Sequence, residues 1–201
     1  MKKLLHVGCG LVTQQHLRGF SSPTVWQEIR LDIDAAVKPD VVGTITDMSA
    51  VDSASIDAVF SAHNLEHIHP FEVLGALGEF LRVLKPDGFA IVTCPDLQSV
   101  CEVVARDLLM DPLYISPAGP IRPIDILYGH QHAIQQGNSF MTHKGGFTGR
   151  TLGSALMAAG FASVYAIRRD WSLWALATKD AREQDDLALL AERFFPPAAT
   201  V

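Results

Sequence analysis

The sequence LHVGCG at residues 5–10 places two glycines directly after a short apolar run. An apolar run of this kind predicts a buried strand, and the glycines let the backbone turn sharply and approach a ligand closely. A second apolar run ends in RLDID at residues 30–34, so Asp32 and Asp34 follow the second predicted strand. A carboxylate about twenty residues after such a loop typically accepts hydrogen bonds from ribose hydroxyls. The two stretches together predict a nucleoside-binding site.

This loop lacks the third glycine of dinucleotide-binding sites. The G-x-G-x-x-G pattern requires a glycine where this chain has Thr13, and that glycine lets the pyrophosphate-binding helix pack closely. We therefore predict a nucleoside ligand without a diphosphate, and a nicotinamide-dependent oxidoreductase is disfavoured. The alternative is a tight turn without a ligand, as any α/β fold can contain.

Strand and helix patterns alternate along the chain, which indicates an α/β sheet. The predicted strands cover residues 3–7, 28–31, 41–45, 57–62, 89–94, 162–169 and 172–178. The predicted helices cover residues 70–84, 97–110, 149–159 and 180–195. Only Asp170 and Trp171 separate the last two strands, which is too short for a crossover helix, so these strands are predicted to form an antiparallel hairpin. We expect a mostly parallel seven-stranded sheet with helices on both faces.

Residues 111–147 interrupt this alternation. They contain prolines at positions 112, 117, 120 and 123 and three of the eight histidines. A long irregular segment inside a compact domain is usually functional. We predict that this segment is an insertion that acts as a substrate lid.

Composition restricts the class of partner. Of the 201 residues, 16 are Lys or Arg and 22 are Asp or Glu, which gives a net charge of −6. A protein that grips phosphate backbones is usually basic, so no nucleic-acid partner is expected. The three cysteines form no C-x-x-C pair, which fits a reducing cytoplasm. We also expect no membrane partner, because no apolar run approaches the length of a membrane span.

Five segments in order resemble class I S-adenosylmethionine-dependent methyltransferases. They are LHVGCG (5–10), RLDID (30–34), TDM (46–48), SIDAVFSAHNLEHI (55–68) and LRVLKPDGFAIVTCPD (81–96). The antiparallel ending of the predicted sheet is similar to that family as well. The resemblance implies a Rossmann-like three-layer sandwich, formed by residues 1–201 as one methyltransferase-like domain. It also implies that S-adenosylmethionine is the cofactor and S-adenosylhomocysteine the product.

The resemblance further implies which residues hold the cofactor's methionine and ribose. Gly8 and Gly10 would line the methionine part, and Asp32 would accept hydrogen bonds from the ribose hydroxyls. Asp34 is the competing choice for the ribose. Ile33 would lie against the adenine.

Two later segments complete the implied pocket. Asp47 would take the adenine amino group, and Met48 would pack on the ring. Ser61, Ala62 and His63 would face the methionine end and the methyl group. The family's third glycine is replaced by Val12 here, and no clear helix follows the first strand. We therefore expect residues 111–147, or a second subunit, to cover the cofactor.

Four residues are candidates for catalysis. S-adenosylmethionine is already an activated methyl donor, so the protein mainly has to align the reacting atoms. A hydroxyl or carboxyl acceptor is helped by a base, for which histidine is suited near neutral pH. The candidates are His143, His130, Tyr128 and His63. The alternative for each is an ordinary loop residue that caps the backbone or faces water.

Residues 63–67 read H-x-x-E-H, which is also an inverted zinc-protease pattern. That pattern requires a helix and a third ligand, and here a predicted strand precedes it while Pro70 begins the helix only afterwards. We therefore predict no metal site. Cys9 is predicted to be a small residue in a tight turn rather than a nucleophile, because a reactive thiol needs a site that favours the thiolate.

The acceptor is predicted to be a small molecule or a sugar-type group. Methyltransferases that act on nucleic-acid bases often carry Asn or Asp followed by two prolines and an aromatic residue after the fourth strand, and residues 61–64 read SAHN. The alternative function is a non-catalytic S-adenosylmethionine-binding or interaction module with the same fold. The apolar pair Phe194 and Phe195 predicts either a homodimer contact or a cap on the sheet.

Overall fold

A computed structural model describes residues 1–197, and a seven-stranded sheet forms its centre. The strands of the chain are β1 (Lys2–Val7), β2 (Trp26–Asp32), β3 (Val41–Val42), β4 (Ile56–Ala62), β5 (Leu84–Pro95), β6 (Tyr114–Ser116), β7 (Gly119–Ile121), β8 (Ser163–Arg169) and β9 (Ser172–Thr178). The order in the large sheet is β3-β2-β1-β4-β5-β9-β8. Strands β1 to β5 are parallel, and β9 is antiparallel to both β5 and β8. The predicted sheet and its antiparallel hairpin are confirmed.

Within residues 1–197, six α-helices accompany the strands. They are α1 (Val73–Val83), α2 (Leu97–Val104), α3 (Pro123–Tyr128), α4 (Gln131–Gln135), α5 (Gly149–Ala158) and α6 (Gln184–Phe194). The helix predicted for residues 97–110 ends early, at Val104, and Asp107 has a left-handed φ of 62°. Only a 3₁₀ turn, Gln14–His16, lies between β1 and β2, as the weak helix pattern there indicated. None of the helices described is long and apolar enough to cross a membrane.

Two apolar layers enclose the sheet. Helices α1 and α5 pack on one face, where Leu77, Phe80 and Leu152 are fully buried. Helix α6 packs on the other face with Phe194 and Phe195, which are both buried. Phe194 contacts Phe20 with a ring-centroid distance of 4.6 Å. The apolar pair therefore caps the sheet within one chain.

The segment 111–147 is more regular than its proline and glycine content indicates. It contains the β6–β7 hairpin, α3, α4 and a 3₁₀ turn at Ser139–Met141. A small apolar cluster of Val100, Ile121 and Ile126 fastens the segment to α2. Its last residues return to the sheet, since Phe147 pairs with Asp96 in an isolated bridge just after β5.

Candidate functional site

The glycine loop after β1 is tied to the end of β2 by one carboxylate. Gly8 and Gly10 have φ values of +60° and +50°, a region in which other residues are strained. The Gly10 N–H donates to Asp32 Oδ2 at 2.8 Å, and the Asp34 N–H donates to Asp32 Oδ1 at 2.9 Å. Asp32 is only 8% exposed. Because a carboxylate has about four lone-pair positions, Asp32 keeps acceptor capacity for two further donors.

Asp34 is used differently. Its Oδ1 accepts the Ala36 N–H at 2.9 Å and caps the 3₁₀ turn Ala35–Val37. Ile33, which lies between the two carboxylates, is 52% exposed. The loop therefore presents Asp32 together with an open apolar surface, whereas Asp34 stabilises the turn behind it.

Arg30 also holds the glycine loop in place, a role that the sequence did not predict. Its Nη2 donates to the Gly10 carbonyl, and its Nη1 donates to the Lys38 carbonyl at 3.2 Å. It lies two positions before Asp32 on β2, and alternation places the two side chains on the same face. That spacing is the only signal that the sequence offers for this role.

Side chains from α1 hold the loop that follows β3. Asp47 is exposed, and the Ser49 side chain and N–H, which donate to its carboxylate, lower its pKa. The Met48 side chain lies in the core, at 1% exposure. The Met48 N–H donates to Glu79 Oε2 at 2.8 Å, and Arg82 Nη2 donates to the Met48 carbonyl at 2.8 Å. Sequence reasoning missed this clamp of Glu79 and Arg82, which arises from α1.

The carboxyl end of β4 faces the glycine loop with unpaired polar atoms. Ser61 Oγ is fully buried and has no hydrogen-bond partner among residues 1–197. Asn64 Nδ2 is also buried and unpaired, and it lies 2.6 Å from the place where a Cβ on Gly8 would stand. A Cβ on Gly10 would meet nothing within 4 Å. The space beside Gly10 is therefore open, whereas Asn64 fills the space beside Gly8, and Ser61 Oγ and Asn64 Nδ2 have no hydrogen-bond partner within residues 1–197.

His63 marks the turn out of β4. Its φ of +49° lies in the left-handed region, which is costly for a residue other than glycine and is typical of functional sites. Ala62 before it is half-buried, and the His63 ring is half-exposed. His63 Nδ1 lies 3.3 Å from Glu66 Oε1. This strained turn directs the chain into the 3₁₀ turn Leu65–His67.

Glu66 and His67 meet a histidine from the segment 111–147. One ligand atom each from Glu66, His67 and His143 lies within 4.8 Å of the other two. The His67 and His143 rings meet edge to face, with centroids 4.8 Å apart and planes at 75°. Glu66 is 1% exposed, and neither of its carboxylate oxygens has a hydrogen-bond partner within the described chain. We refer to Glu66, His67 and His143 as the Glu–His cluster.

Backbone groups fix the Glu–His cluster. The N–H groups of Lys144 and Gly145 both donate to the Glu66 carbonyl, at 2.8 and 3.1 Å. The chain turns back on itself at Gly129, where a Cβ would lie 1.9 Å from the Met141 carbonyl oxygen. Only a glycine fits there, and the close approach places His143 next to the sheet.

The cluster combines a charged carboxylate, that of Glu66, with a neutral imidazole, that of the half-buried His143. Burial acts to raise the pKa of Glu66, but His63 and His67 act more strongly together and lower it. Burial lowers the pKa of His143, against the opposing effect of Glu66. The site therefore joins a carboxylate to a histidine that is neutral at physiological pH.

The other predicted catalytic residues lie outside the cluster. Tyr128 is exposed, and only its carbonyl takes part, by accepting the His143 N–H at 3.3 Å. The His130 ring lies beside the exposed His132, with centroids 6.3 Å apart. Of the three candidates in residues 111–147, the structure brings His143 to the cluster. Burial raises the pKa of Cys9 to about 11, which fits a structural thiol rather than a nucleophile.

Comparison with protein families gives this arrangement a class. Residues 5–92, from β1 into β5, match the family model described as a methyltransferase domain. The match covers 88 of the 201 residues and includes the glycine loop, Asp32 and the end of β4. No curated protein matches the chain significantly.

Solved structures share the fold at low identity. A Pyrococcus horikoshii protein is 16% identical, with a TM-score of 0.57 over 88% of this chain and 81% of its own. A Methanosarcina mazei S-adenosylmethionine-dependent methyltransferase is 14% identical, with a TM-score of 0.55 over 90% of this chain and 93% of its own. A Burkholderia thailandensis 1,6-didemethyltoxoflavin-N1-methyltransferase, with that substrate and S-adenosylhomocysteine bound, is 16% identical, with a TM-score of 0.53 over 88% of this chain and 70% of its own.

Proposed function

We propose that this chain is an S-adenosylmethionine-dependent methyltransferase that acts on a small-molecule or sugar-type acceptor held between the end of β4 and residues 111–147. The observation that carries the proposal is the group of buried, unpaired polar atoms at that edge. It comprises Ser61 Oγ, Asn64 Nδ2, Thr93 Oγ1 and both Glu66 carboxylate oxygens. Leaving a polar atom buried and unpaired costs about 1–3 kcal/mol. A group of them at one edge of the sheet is therefore best explained by ligands that supply the missing partners.

The glycine loop supports the cofactor assignments. Asp32 would accept hydrogen bonds from the ribose hydroxyls with its remaining lone pairs. The methionine part would lie along this loop, in the open space beside Gly10, while Asn64 packs against Gly8. Asp34 is less suited to the ribose, because its carboxylate caps the next turn. The bound cofactor would supply a methyl group that is already activated on sulfur.

The residues assigned to the adenine and to the methyl group of the cofactor lie at the same carboxyl end of the sheet. Ile33 and Asp47 are exposed and available to the adenine, and the buried Met48 would support the Asp47 loop from the core side. Ser61, Ala62 and His63 would face the methionine end and the methyl group, since they end the strand next to β1. This order matches the rule that ligands of open α/β sheets bind at the carboxyl ends of strands.

The acceptor side would use the neutral His143. Its Nδ1–H donates to the Ile126 carbonyl at 2.6 Å, so its Nε2 carries the lone pair. That nitrogen would take a proton from the acceptor or orient it, with Glu66 stabilising the charge that develops. Residues 111–147 would cover the reacting groups and exclude water.

The charge and a structural neighbour favour a small acceptor. The net charge of −6 disfavours a nucleic-acid partner. One protein with the same fold carries 1,6-didemethyltoxoflavin, a small molecule, in its site. Both observations favour an acceptor of modest size over a polymer.

Calorimetric titration with S-adenosylmethionine and S-adenosylhomocysteine tests the cofactor site, with NAD as the control. The protein is first freed of any cofactor carried through purification. We expect micromolar binding of the first two ligands and none of NAD. The absence of binding by folded, cofactor-free protein would contradict the proposal.

A turnover assay then tests the acceptor site. We expect S-adenosylhomocysteine to form only when an acceptor is added, and His143→Ala to remove turnover while leaving cofactor binding intact. Cofactor binding without turnover across a broad panel of acceptors would favour a non-catalytic binding module. Unchanged turnover in His143→Ala would remove His143 from the mechanism.

A further inference from the structure

We propose that Glu66, His67 and His143 bind one divalent transition-metal ion, of which Zn²⁺ is the natural probe. The inference deepens the proposed function, because the ion would lie beside the end of β4 that faces the methyl group. Two imidazoles and one carboxylate are a common ligand set for such ions and leave coordination positions open. With the ion on His143 Nε2, the ion would replace that nitrogen as the group that acts on the acceptor, by binding its hydroxyl or carboxyl oxygen at an open position.

The distances between the three ligand atoms are only slightly longer than those expected around a bound ion. A tetrahedral Zn²⁺ with bonds of about 2.0–2.2 Å places its ligand atoms roughly 3.4 Å apart. The three ligand atoms lie within 4.8 Å of one another. Side-chain movements of about one ångström are therefore enough to close the set.

Both imidazoles are oriented as metal ligands usually are. His67 Nδ1 lies 3.1 Å from the Thr142 carbonyl oxygen, and His143 Nδ1 lies 2.6 Å from the Ile126 carbonyl oxygen. A carbonyl oxygen only accepts, so Nδ1 carries a proton in each ring, and Nε2 is the nitrogen that would bind an ion. Metal-binding histidines typically donate their second ring N–H to a carbonyl or carboxylate in this way.

Glu66 provides an independent observation that points to a bound cation. It is 1% exposed, and both carboxylate oxygens lack a hydrogen-bond partner between residues 1 and 197. Buried charges in proteins are normally paired or bound to metals. The half-exposed His63, 3.3 Å from Oε1, is the nearest recorded charge partner, and a metal ion would satisfy the carboxylate far better.

This inference replaces the prediction that the H-x-x-E-H pattern holds no metal. The pattern was set aside because a third ligand and a helix were missing. The structure supplies the third ligand from outside the pattern, as His143, and holds Glu66 and His67 on the 3₁₀ turn Leu65–His67. The ligand set is therefore Glu66, His67 and His143, not the two histidines and glutamate of one helix.

Metal analysis of protein purified without a nickel column is the first test. Elemental analysis and equilibrium dialysis against Zn²⁺ should give one ion per chain. Replacement by Co²⁺ should give the visible absorption of a site with nitrogen and oxygen ligands. Mg²⁺ at the same concentration should not compete, because imidazole ligands do not suit it. A metal-free protein that fails to take up Zn²⁺ would overturn the proposal.

Three variants assign the ion to the cluster. Glu66→Gln and His143→Gln should each weaken Zn²⁺ binding at least about 100-fold. His132→Gln, on the exposed surface of α4, should bind as the unmodified protein does. Circular dichroism and S-adenosylhomocysteine binding show that each variant is folded. Full Zn²⁺ binding by folded Glu66→Gln and His143→Gln would contradict the assignment.

The two proposals fail in different ways. If chelated protein keeps both cofactor binding and turnover, the ion has no part in the acceptor site and the methyltransferase proposal stands. If Zn²⁺ binds stoichiometrically but no acceptor is methylated in its presence, the metal site stands and the proposed acceptor site is wrong.

Discussion

The Asp32 carboxylate of the glycine loop and the Glu66 carboxylate of the Glu–His cluster differ in how many hydrogen bonds the chain itself supplies to them. Both Asp32 oxygens accept backbone N–H groups from neighbouring turns. Both Glu66 oxygens are buried without a hydrogen-bond partner in the described residues. The loop is thus already formed before its ligand arrives, while the cluster needs a ligand to become satisfied. Changes in the loop should therefore affect cofactor binding, and changes at the cluster should affect turnover.

The largest effect is expected from Asp32→Ala. This change removes the ribose acceptor and also the group that fixes the Gly10 and Asp34 N–H groups. We expect S-adenosylhomocysteine affinity to fall about 100-fold or more, since each hydrogen bond to a charged group contributes about 1.5–3 kcal/mol. Asp34→Ala is the matched control, with a loss of only a few-fold. If calorimetry shows the same loss of affinity in both variants, the ribose binds to Asp34 or to both carboxylates.

Gly129→Ala should disrupt the Glu–His cluster by displacing His143. Its new Cβ would lie 1.9 Å from the Met141 carbonyl oxygen, so residues 141–143 must move. A displacement of this size lowers turnover by between about 10- and 100-fold, while cofactor affinity stays within about two-fold.

Gly137→Ala is the control for backbone strain. Gly137 has nearly the same φ, 96° against 95°, but a Cβ there would meet nothing within 4 Å. Turnover should therefore stay close to that of the unmodified protein. If the two alanine variants lose turnover equally, the close approach at Gly129 is not what places His143.

Glu79→Gln should loosen the Asp47 loop. We expect a loss of cofactor affinity of about 3- to 10-fold and a Tm lower by about 2–5 °C. Glu102→Gln, on the exposed surface of α2, is the control and should change neither. An unchanged cofactor affinity in Glu79→Gln would show that the hydrogen bonds of Glu79 and Arg82 to Met48 do not support the cofactor site.

The same variant should alter the pH dependence of stability. Hydrogen bonds from Arg82 hold the pKa of Glu79 below its ordinary value of 4.5. A lowered carboxyl pKa stabilises the folded state above the unfolded-state pKa, and that contribution is lost as the pH falls through the folded value. Denaturant unfolding between about pH 5 and pH 3 should therefore show a flatter decline in Glu79→Gln. An equally steep decline in both proteins would contradict the assignment.

The smallest effect is expected from Ser61→Ala. Its hydroxyl is buried and unpaired, so its removal should leave the Tm within about 2 °C. Cofactor or acceptor affinity should fall about five-fold, the value of one neutral hydrogen bond. Ser99→Ala is the contrast, because Ser99 Oγ donates to the buried Asp96 and its loss should lower the Tm. A clear loss of stability in Ser61→Ala would mean that the hydroxyl has a structural partner.

The sheet and the cofactor loop could be predicted because their signals are local. Apolar runs followed by glycines or a carboxylate gave β1 and β2, and the two-residue link at Asp170 and Trp171 gave the hairpin. The segment 111–147 gave no such signal, because its strands have three residues each and its helices six and five. Elements this short are below the length at which hydrophobic periodicity is detectable.

The Glu–His cluster could not be predicted for a related reason. His67 Nδ1–H donates to the carbonyl of Thr142, which lies 75 positions away in the chain. No pattern in the sequence relates the two, since backbone atoms make most of the contacts that join them. The expectation that Met48 packs on the adenine ring fails for a similar reason. Its apolar side chain lies in the core, and its N–H donates to Glu79.

A crystal structure of the protein with S-adenosylhomocysteine would place the cofactor against both halves of the site. We expect the ribose hydroxyls within hydrogen-bonding distance of Asp32, the adenine beside Ile33, and the sulfur directed towards Ser61 to His63 and the Glu–His cluster. A ribose bound away from Asp32, or a sulfur directed away from the cluster, would contradict this arrangement of cofactor and acceptor.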